Sequence, residues 1–253
     1  MNTPDLPTGL SLHRLADRDD LAEGVHALGE EVWPPFMMHS ECGGEFYVDL
    51  DTTFADCALV VVDPDDQVVC RALWIPFVWD GDLPLPDRGW DWVIERGIAD
   101  RHAGHATNVA SALEIGIHPT LRGSGLSSIL VAHMRATAAD MGATSLFAPV
   151  RPSQKSTHPH ESMADYLTRV RDDGLPHDAW LRVHARAGGE ILGPCDSSMI
   201  IPGSVADWHE WTGVDMTEPG PYVVPGALAP VHSDGERAVY TEPNVWVRHR
   251  LTH

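Results

Sequence analysis

The chain is short of lysine: Lys155 is the only one in 253 residues. Arginine supplies nearly all of the 17 basic side chains, set against 37 Asp and Glu, so the formal net charge is −20. A polyanion of this strength repels nucleic acid and acidic lipid surfaces, which argues against either as a partner. No run of eighteen apolar residues occurs, so no membrane span is expected. Residues 1–9 are polar and lack the basic start and apolar stretch of a secretory signal. Cysteine is scarce too. Cys42, Cys57, Cys70 and Cys195 offer no CxxC spacing, which excludes zinc ribbons and redox motifs and suits free thiols in a reducing cytoplasm. Histidine is plentiful, but the close pairs His102/His105 and His158/His160 bring no carboxylate or cysteine at a recognised ligand spacing. No metal is expected.

What is present is a 43% apolar chain long enough for one substantial core. Residues 10–15 alternate as a short strand. Ala16-Asp17 opens a helix that carries Leu21, Val25 and Leu28 inward and stops at Pro34-Pro35. Residues 36–47 read as a loop or short helix. Residues 57–62 and 68–78 form a hairpin around an Asp/Pro turn. A Pro/Gly/Asp-rich loop over 80–89 precedes a helix over 90–103. Residues 108–118 are a strand, 123–141 a helix ended by Gly142, and 145–150 the next strand. A polar insertion at 151–176 carries a short helix, and Asp178 caps another over 179–187. Residues 191–201 are strand-like. Beyond 201 the chain is rich in Pro and Gly, with strand candidates at 222–224, 238–240 and 244–247. The order predicts an α/β fold, a mixed sheet with helices on both faces.

The most informative segment is Arg122-Gly123-Ser124-Gly125-Leu126-Ser127, which joins a strand to a helix. Glycine lets the backbone approach a ligand closely. The unpaired amides and positive dipole end of the first helical turn make a diphosphate cradle, which lets so acidic a protein hold an anion. A P-loop would need a lysine, and none is here. A dinucleotide fingerprint would want an acid at the end of the next strand, and 145–150 has none.

The stretch Leu113-Glu-Ile-Gly-Ile-His-Pro-Thr-Leu-Arg-Gly-Ser-Gly-Leu-Ser resembles the pyrophosphate motif of the GNAT acyltransferases, an Arg or Gln, two residues, Gly, one residue, then Gly or Ala. Arg122 and Gly125 match; Ser127 departs at the last position but is still small. The resemblance implies a mostly antiparallel sheet with a central V-shaped split and flanking helices. It covers residues 10–201 within a single domain, with 202–253 as an extension of short strands that either covers the site or builds a homodimer contact. It implies acyl-coenzyme A, or an acyl-carrier thioester, as co-substrate. The pantetheine arm would lie along the backbone at Ile115 and Ile117, and the amides of Arg122, Gly123, Ser124, Gly125, Leu126 and Ser127 would hold the pyrophosphate. The implied activity is transfer of an acyl group, acetyl foremost, to the amine of a small molecule.

The same resemblance suggests which residues carry chemistry. Family members often use a tyrosine, four residues before a glycine, to protonate the leaving thiolate; here that position is His184, ahead of Gly188. Tyr166 is the other candidate acid. Glu114 is the only carboxylate on the motif strand and is read as either a general base or a salt-bridge partner. Strand alternation would put it on the face of Gly116 and opposite Ser111, Leu113 and Ile115. Ser111 with His184 would suit decarboxylation of a malonyl-type thioester, the alternative reaction, with Arg151 and Lys155 as holders of an acidic group. A non-catalytic acyl-CoA-binding module is the remaining alternative. Trp79 and Trp90, with Asp80, Asp82 and Asp87, are expected to wall an amine-acceptor pocket.

Overall fold

The computed structural model describes residues 3–81 and 84–251. Its sheet runs β1 (Ser11–Arg14), β2 (Ala58–Val62), β3 (Val68–Phe77), β4 (Val109–Ile117), β5 (Ser145–Val150), β9 (Arg237–Arg250), β8 (Val231–Ser233) and β7 (Gly220–Tyr222), with β6 (Glu190–Ser204) also paired to β9. Every pairing is antiparallel except β4 with β5, and that one holds only at Ala110 opposite Leu146 and Ser111 opposite Phe147. Past Ser111 the two strands part, and the sheet is split there.

The helices are α1 (Ala22–Val32), α2 (Glu41–Val48), α3 (Gly89–His102), α4 (Leu126–Asp140), α5 (Met163–Leu167), α6 (Ala179–Arg186) and α7 (Val205–Thr212). Two expected helix starts move inward. Residues 15–21 form two short 3-10 turns, so the regular helix begins at Ala22. Gly123 and Gly125 sit at φ 79° and 87°, a left-handed conformation that no α-helix contains, so α4 begins at Leu126. Within 36–47, a 3-10 turn over Pro35–His39 leads into α2, whose N-cap Ser40 accepts from the Gly43 amide at 3.2 Å.

The boundary expected at residue 201 fails. The strand candidates at 238–240 and 244–247 are parts of one fourteen-residue strand, β9, which pairs with β5 and β6 in the middle of the sheet. Proline at 243 hid this continuity, because proline in a strand normally marks an edge. On one side β9 pairs first with β8, at Ala238 and Val239, and then with β5, from Val245 onward. The stretch between, including Glu242 and Asn244, has neither neighbour on that side. A large apolar core fills both faces of β2, β3 and β4, and a smaller one of Ala148, Tyr166, Leu181 and Val247 lies under α5 and α6. Among the described residues no helix is long and apolar enough to cross a membrane.

Candidate active site

Beside the split, β4 carries a β-bulge. Leu73 pairs with Glu114 and Trp74 with Ala112, so Leu113 is an extra residue on β4. Its carbonyl accepts from Trp90 Nε1 at 3.0 Å. The bulge also resets the alternation. Ser111, Glu114 and Gly116 pair with Ile75, Leu73 and Arg71, alternate residues of β3, and so share one face. Glu114 and Ser111 were expected on opposite faces; a period of two cannot anticipate one inserted residue.

A cavity of about 580 Å³ fills the split and is lined by 112–115 and Ile117 of β4, by Arg122 and Ser127, and by Leu146, Ala148 and Val150 of β5. At its mouth the amides of Gly123, Gly125, Leu126 and Ser127 have no partner among the described residues. The Ser124 amide turns back to Leu121 O, and those of Ser128 and Ile129 turn back to Gly125 O. No heavy atom lies within 4 Å of where a Cβ would stand on Gly123 or Gly125, and α4 carries no acid in its first turn. A fifteen-residue helix thus presents bare amides to open space, which fits a pyrophosphate. The Leu126 side chain is in the core, so only its amide is open to the mouth.

At the inner end stands His184 on α6. Asp178 caps this helix, accepting from the amides of Trp180 and Leu181 at 2.9 and 3.1 Å. His184 is buried, lines the cavity, and meets His249 of β9, Nδ1 to Nε2, at 3.0 Å. Burial, and then the neighbouring ring, push its pKa down to about 3, so the imidazole is neutral at physiological pH. His249 went unnoticed in the sequence because it lies in the supposed extension; the alternation of Val245, Val247 and His249 was the available signal.

The other expected site residues part company. Tyr166 is buried in the smaller core, donates to Asp178 at 2.9 Å and does not line the cavity. It steadies the cap of the helix that carries His184 and is not poised to protonate a thiolate. Glu114 lines the cavity, but both oxygens are taken: Arg71 Nε and Nη2 donate at 2.6 and 2.7 Å, and Tyr47 OH at 2.6 Å. Ser111 donates to Ala112 O and does not reach the cavity, so it does not join His184 there. Lys155 is buried away from it, its ammonium donating to His158 O and Leu228 O at 2.8 Å each. Arg151 does line the cavity, paired to Glu242 at 2.9 Å.

The residues expected to wall an acceptor pocket do not all reach the cavity. Trp90 lines the cavity, whereas Trp79 packs edge-on against Phe147 at 4.9 Å. Asp80 and Asp87 are not at the cavity, and Asp82 lies outside the described residues. The cavity is also lined by Trp33, Met37, Ser40 and Tyr47, from the segment after α1, and by Glu242 and Asn244 of β9.

An open mixed sheet, split beside a single parallel pair, with a helix N-terminus at the mouth of the split, is the architecture that the motif at 113–127 implied. Arginine N-acetyltransferase avaD of Aspergillus versicolor is 31% identical over 279 aligned positions, covering 97% of this chain and 96% of that protein. The loading GNATL domain of CurA from Lyngbya majuscula superposes with a TM-score of 0.58 at 17% identity, over 95% of this chain and 97% of that one. The GphF GNAT-like decarboxylase, in complex with isobutyryl-CoA, gives 0.55 at 16%, over 96% and 99%. No protein-family model matches the chain. The chain belongs to the GNAT superfamily and is an N-acyltransferase of that family.

Proposed function

We propose that the protein transfers an acetyl group from acetyl-coenzyme A to the amine of a small molecule. One observation carries this reading: a continuous cleft leads from the unpartnered amides at the start of α4, along the open edge of β4, to the imidazole of His184. The Gly123–Ser127 turn and Arg122 hold the pyrophosphate. The free backbone edge of β4 at Ile115 and Ile117 takes the pantetheine arm as an added strand. His184 supplies the proton that the leaving thiolate needs. Holding thioester and amine together contributes much of the rate.

The acceptor lies between Trp33, Tyr47, Trp90 and the Arg151–Glu242 pair. Aromatic faces beside a paired Arg and Glu suit an acceptor that carries both charge signs, such as an amino acid. The curated relative is named for arginine, so arginine is the first acceptor to test. The malonyl-thioester decarboxylase alternative relied on Ser111 beside His184, and Ser111 donates to Ala112 O and does not line the cavity.

The test is a mass-spectrometric assay with acetyl-, malonyl- and longer acyl-CoAs against a panel of amines that includes arginine and lysine, each with and without the protein. An acetylated amine appearing together with free coenzyme A is the expected result. Carbon dioxide released from malonyl-CoA with no acceptor consumed would overturn it.

A further inference from the structure

Tyr240, Glu242 and Asn244 alternate along β9, share one face and are buried. They stand where β9 has neither β8 nor β5 beside it. Hydrogen bonds join them: Tyr240 OH donates to Glu242 Oε2 and Asn244 Nδ2 to Glu242 Oε1, each at 3.0 Å. Arg151, the residue after β5, fills the gap. Its Nε donates to Glu242 Oε2 at 2.9 Å and its Nη2 to Gly226 O. The Trp33 ring lies beside the guanidinium, 5.9 Å from centroid to Cζ.

This network leaves two polar ends open. Nε and Nη2 form one edge of the guanidinium, and Tyr240 OH, bonded to the same Oε2 as Nε, lies along that edge. Nη1 is on the other side. It has no hydrogen bond among the described residues, and it is not among the nitrogens that the fold closes off without one. Asn244 is equally one-sided. Its Nδ2 donates to two acceptors, Glu242 Oε1 and Pro243 O, each at 3.0 Å, which fixes that end of the amide as the nitrogen. Oδ1 is left open without a partner among the described residues, on a residue only 2% exposed. Arg151, Glu242 and Asn244 all line the cavity. Glu242 already balances the charge of Arg151, so the pair matches a ligand head that is neutral overall. A lone carboxylate would meet the Glu242 charge, and a lone amine would leave Nη1 bare. A carboxylate with an N–H one carbon away satisfies both ends.

We propose that Arg151 and Asn244 are specificity-determining residues that hold the head of an α-amino acid acceptor, its carboxylate on Arg151 Nη1 and its α-nitrogen N–H on Asn244 Oδ1, with Glu242 bracing both. This rests on the acyl-transfer reading above and narrows its acceptor from small amines at large to amino acids with a free carboxylate. The carboxylate of a malonyl thioester would bring Arg151 the same charge but no donor for Asn244, so the head belongs to the acceptor and not to the acyl group. An acceptor without the carboxylate leaves a desolvated donor unpaired, and that cost separates the two substrates.

The test uses intact protein, acetyl-CoA and matched acceptor pairs, each amino acid beside its decarboxylated amine: arginine and agmatine, lysine and cadaverine, tryptophan and tryptamine. In the pair turned over best, kcat/KM is expected to favour the amino acid by about a hundredfold or more. This comparison needs no variant. The double variant Arg151→Gln/Glu242→Gln removes both charges and leaves neither buried alone. Its preference is expected to shrink to within about threefold, mainly through a higher KM for the amino acid. Asn244→Ala is expected to raise that KM about tenfold while KM for acetyl-CoA moves less than about threefold. Equal or better turnover of the decarboxylated amines by wild type would overturn the proposal and leave the acyl-transfer reading standing. So would a double variant that loses both members of a pair alike, the mark of a purely structural ion pair. A preference for malonyl- over acetyl-CoA that the double variant abolishes would assign the carboxylate to the acyl group and overturn it as well. No acetylated product from any pair would overturn both readings.

Discussion

Arg71 and Glu114 form an ion pair closed off from water: the guanidinium grips both carboxylate oxygens at 2.6 and 2.7 Å, with side-chain exposures of 1% and 2%. Tyr47 completes the cluster, and Arg71 Nη1 donates to Val25 O at 2.6 Å, tying α1 to the sheet. A carboxylate so engaged is costly to disturb and poorly placed to collect a proton. Removing one member of a buried pair leaves the other uncompensated, typically at about 3–5 kcal/mol. Glu114→Gln is therefore expected to lose roughly that much stability in urea titrations, whereas a general base would be worth about 10²–10⁴ in rate. At a temperature where the variant is folded, kcat should stay within about tenfold of wild type. A thousandfold loss in folded protein would restore Glu114 as the base.

Tyr166 makes the complementary case. Its hydroxyl donates to Asp178, the residue that caps α6. Burial, then the Asp178 charge, push the phenol well above its ordinary pKa, so it does not ionise in any usable pH range. Tyr166→Phe should cost about 1.5–3 kcal/mol, the range for a hydrogen bond to a charged group. Activity of the folded variant should be nearly unchanged. A loss of two orders of magnitude in kcat with full stability would make Tyr166 the acid after all.

The cradle makes a prediction about binding. Gly125 is left-handed, and open space surrounds its missing Cβ. Gly125→Ala meets no clash but carries the strain of a positive φ, of order 1 kcal/mol. Gly125→Glu adds a negative charge where the amides await a pyrophosphate. Coenzyme A is expected to raise the melting temperature of wild type and of Gly125→Ala, and to leave Gly125→Glu unmoved. Equal stabilisation of all three would mean that the ligand binds elsewhere. Arg122→Ala should weaken the shift without abolishing it, because the backbone donors remain.

Much of this was legible in the sequence because the signal was local. The strand–glycine–helix turn at 122–127 depends on neighbours in the chain, and so does the cap at Asp178. Long-range pairing was not legible. The bulge at Leu113 needs the register of β3 against β4, which no periodicity encodes. The central position of β9 was masked by Pro243 and by its place near the end of the chain. The cavity lining was not legible either: proximity in sequence pointed to the 80–89 loop, while the fold brings residues from 33–47 and from β9 to the cavity. His184 was reachable from its spacing to Gly188, but its partner sits sixty-five residues later.

The histidine pair also leaves a mark on acid stability. Burial and neighbouring charge depress His184 to about 3 and His249 to about 4, against an ordinary value near 6.5. Below that ordinary value the unfolded rings take up protons that the folded rings refuse. Stability is therefore complete above about pH 6.5 and falls as pH drops towards the folded values, by at most about 1.4 kcal/mol per pH unit for each ring. Asp91 works the other way, since burial raises it to about 7: folded protein holds that proton where unfolded chain has lost it, so this contribution declines as pH rises from about 4 to 7. The three groups leave a net slope of roughly one proton in the wild type. His249→Phe removes one depressed imidazole and the mutual opposition of the rings. Urea midpoints measured from about pH 5 to 7, a range where ordinary carboxylates have finished titrating, should flatten or reverse in slope for this variant. Asp91→Asn should steepen the wild-type slope instead. Parallel profiles for all three proteins would mean that neither the imidazoles nor Asp91 are held in their neutral forms by the fold.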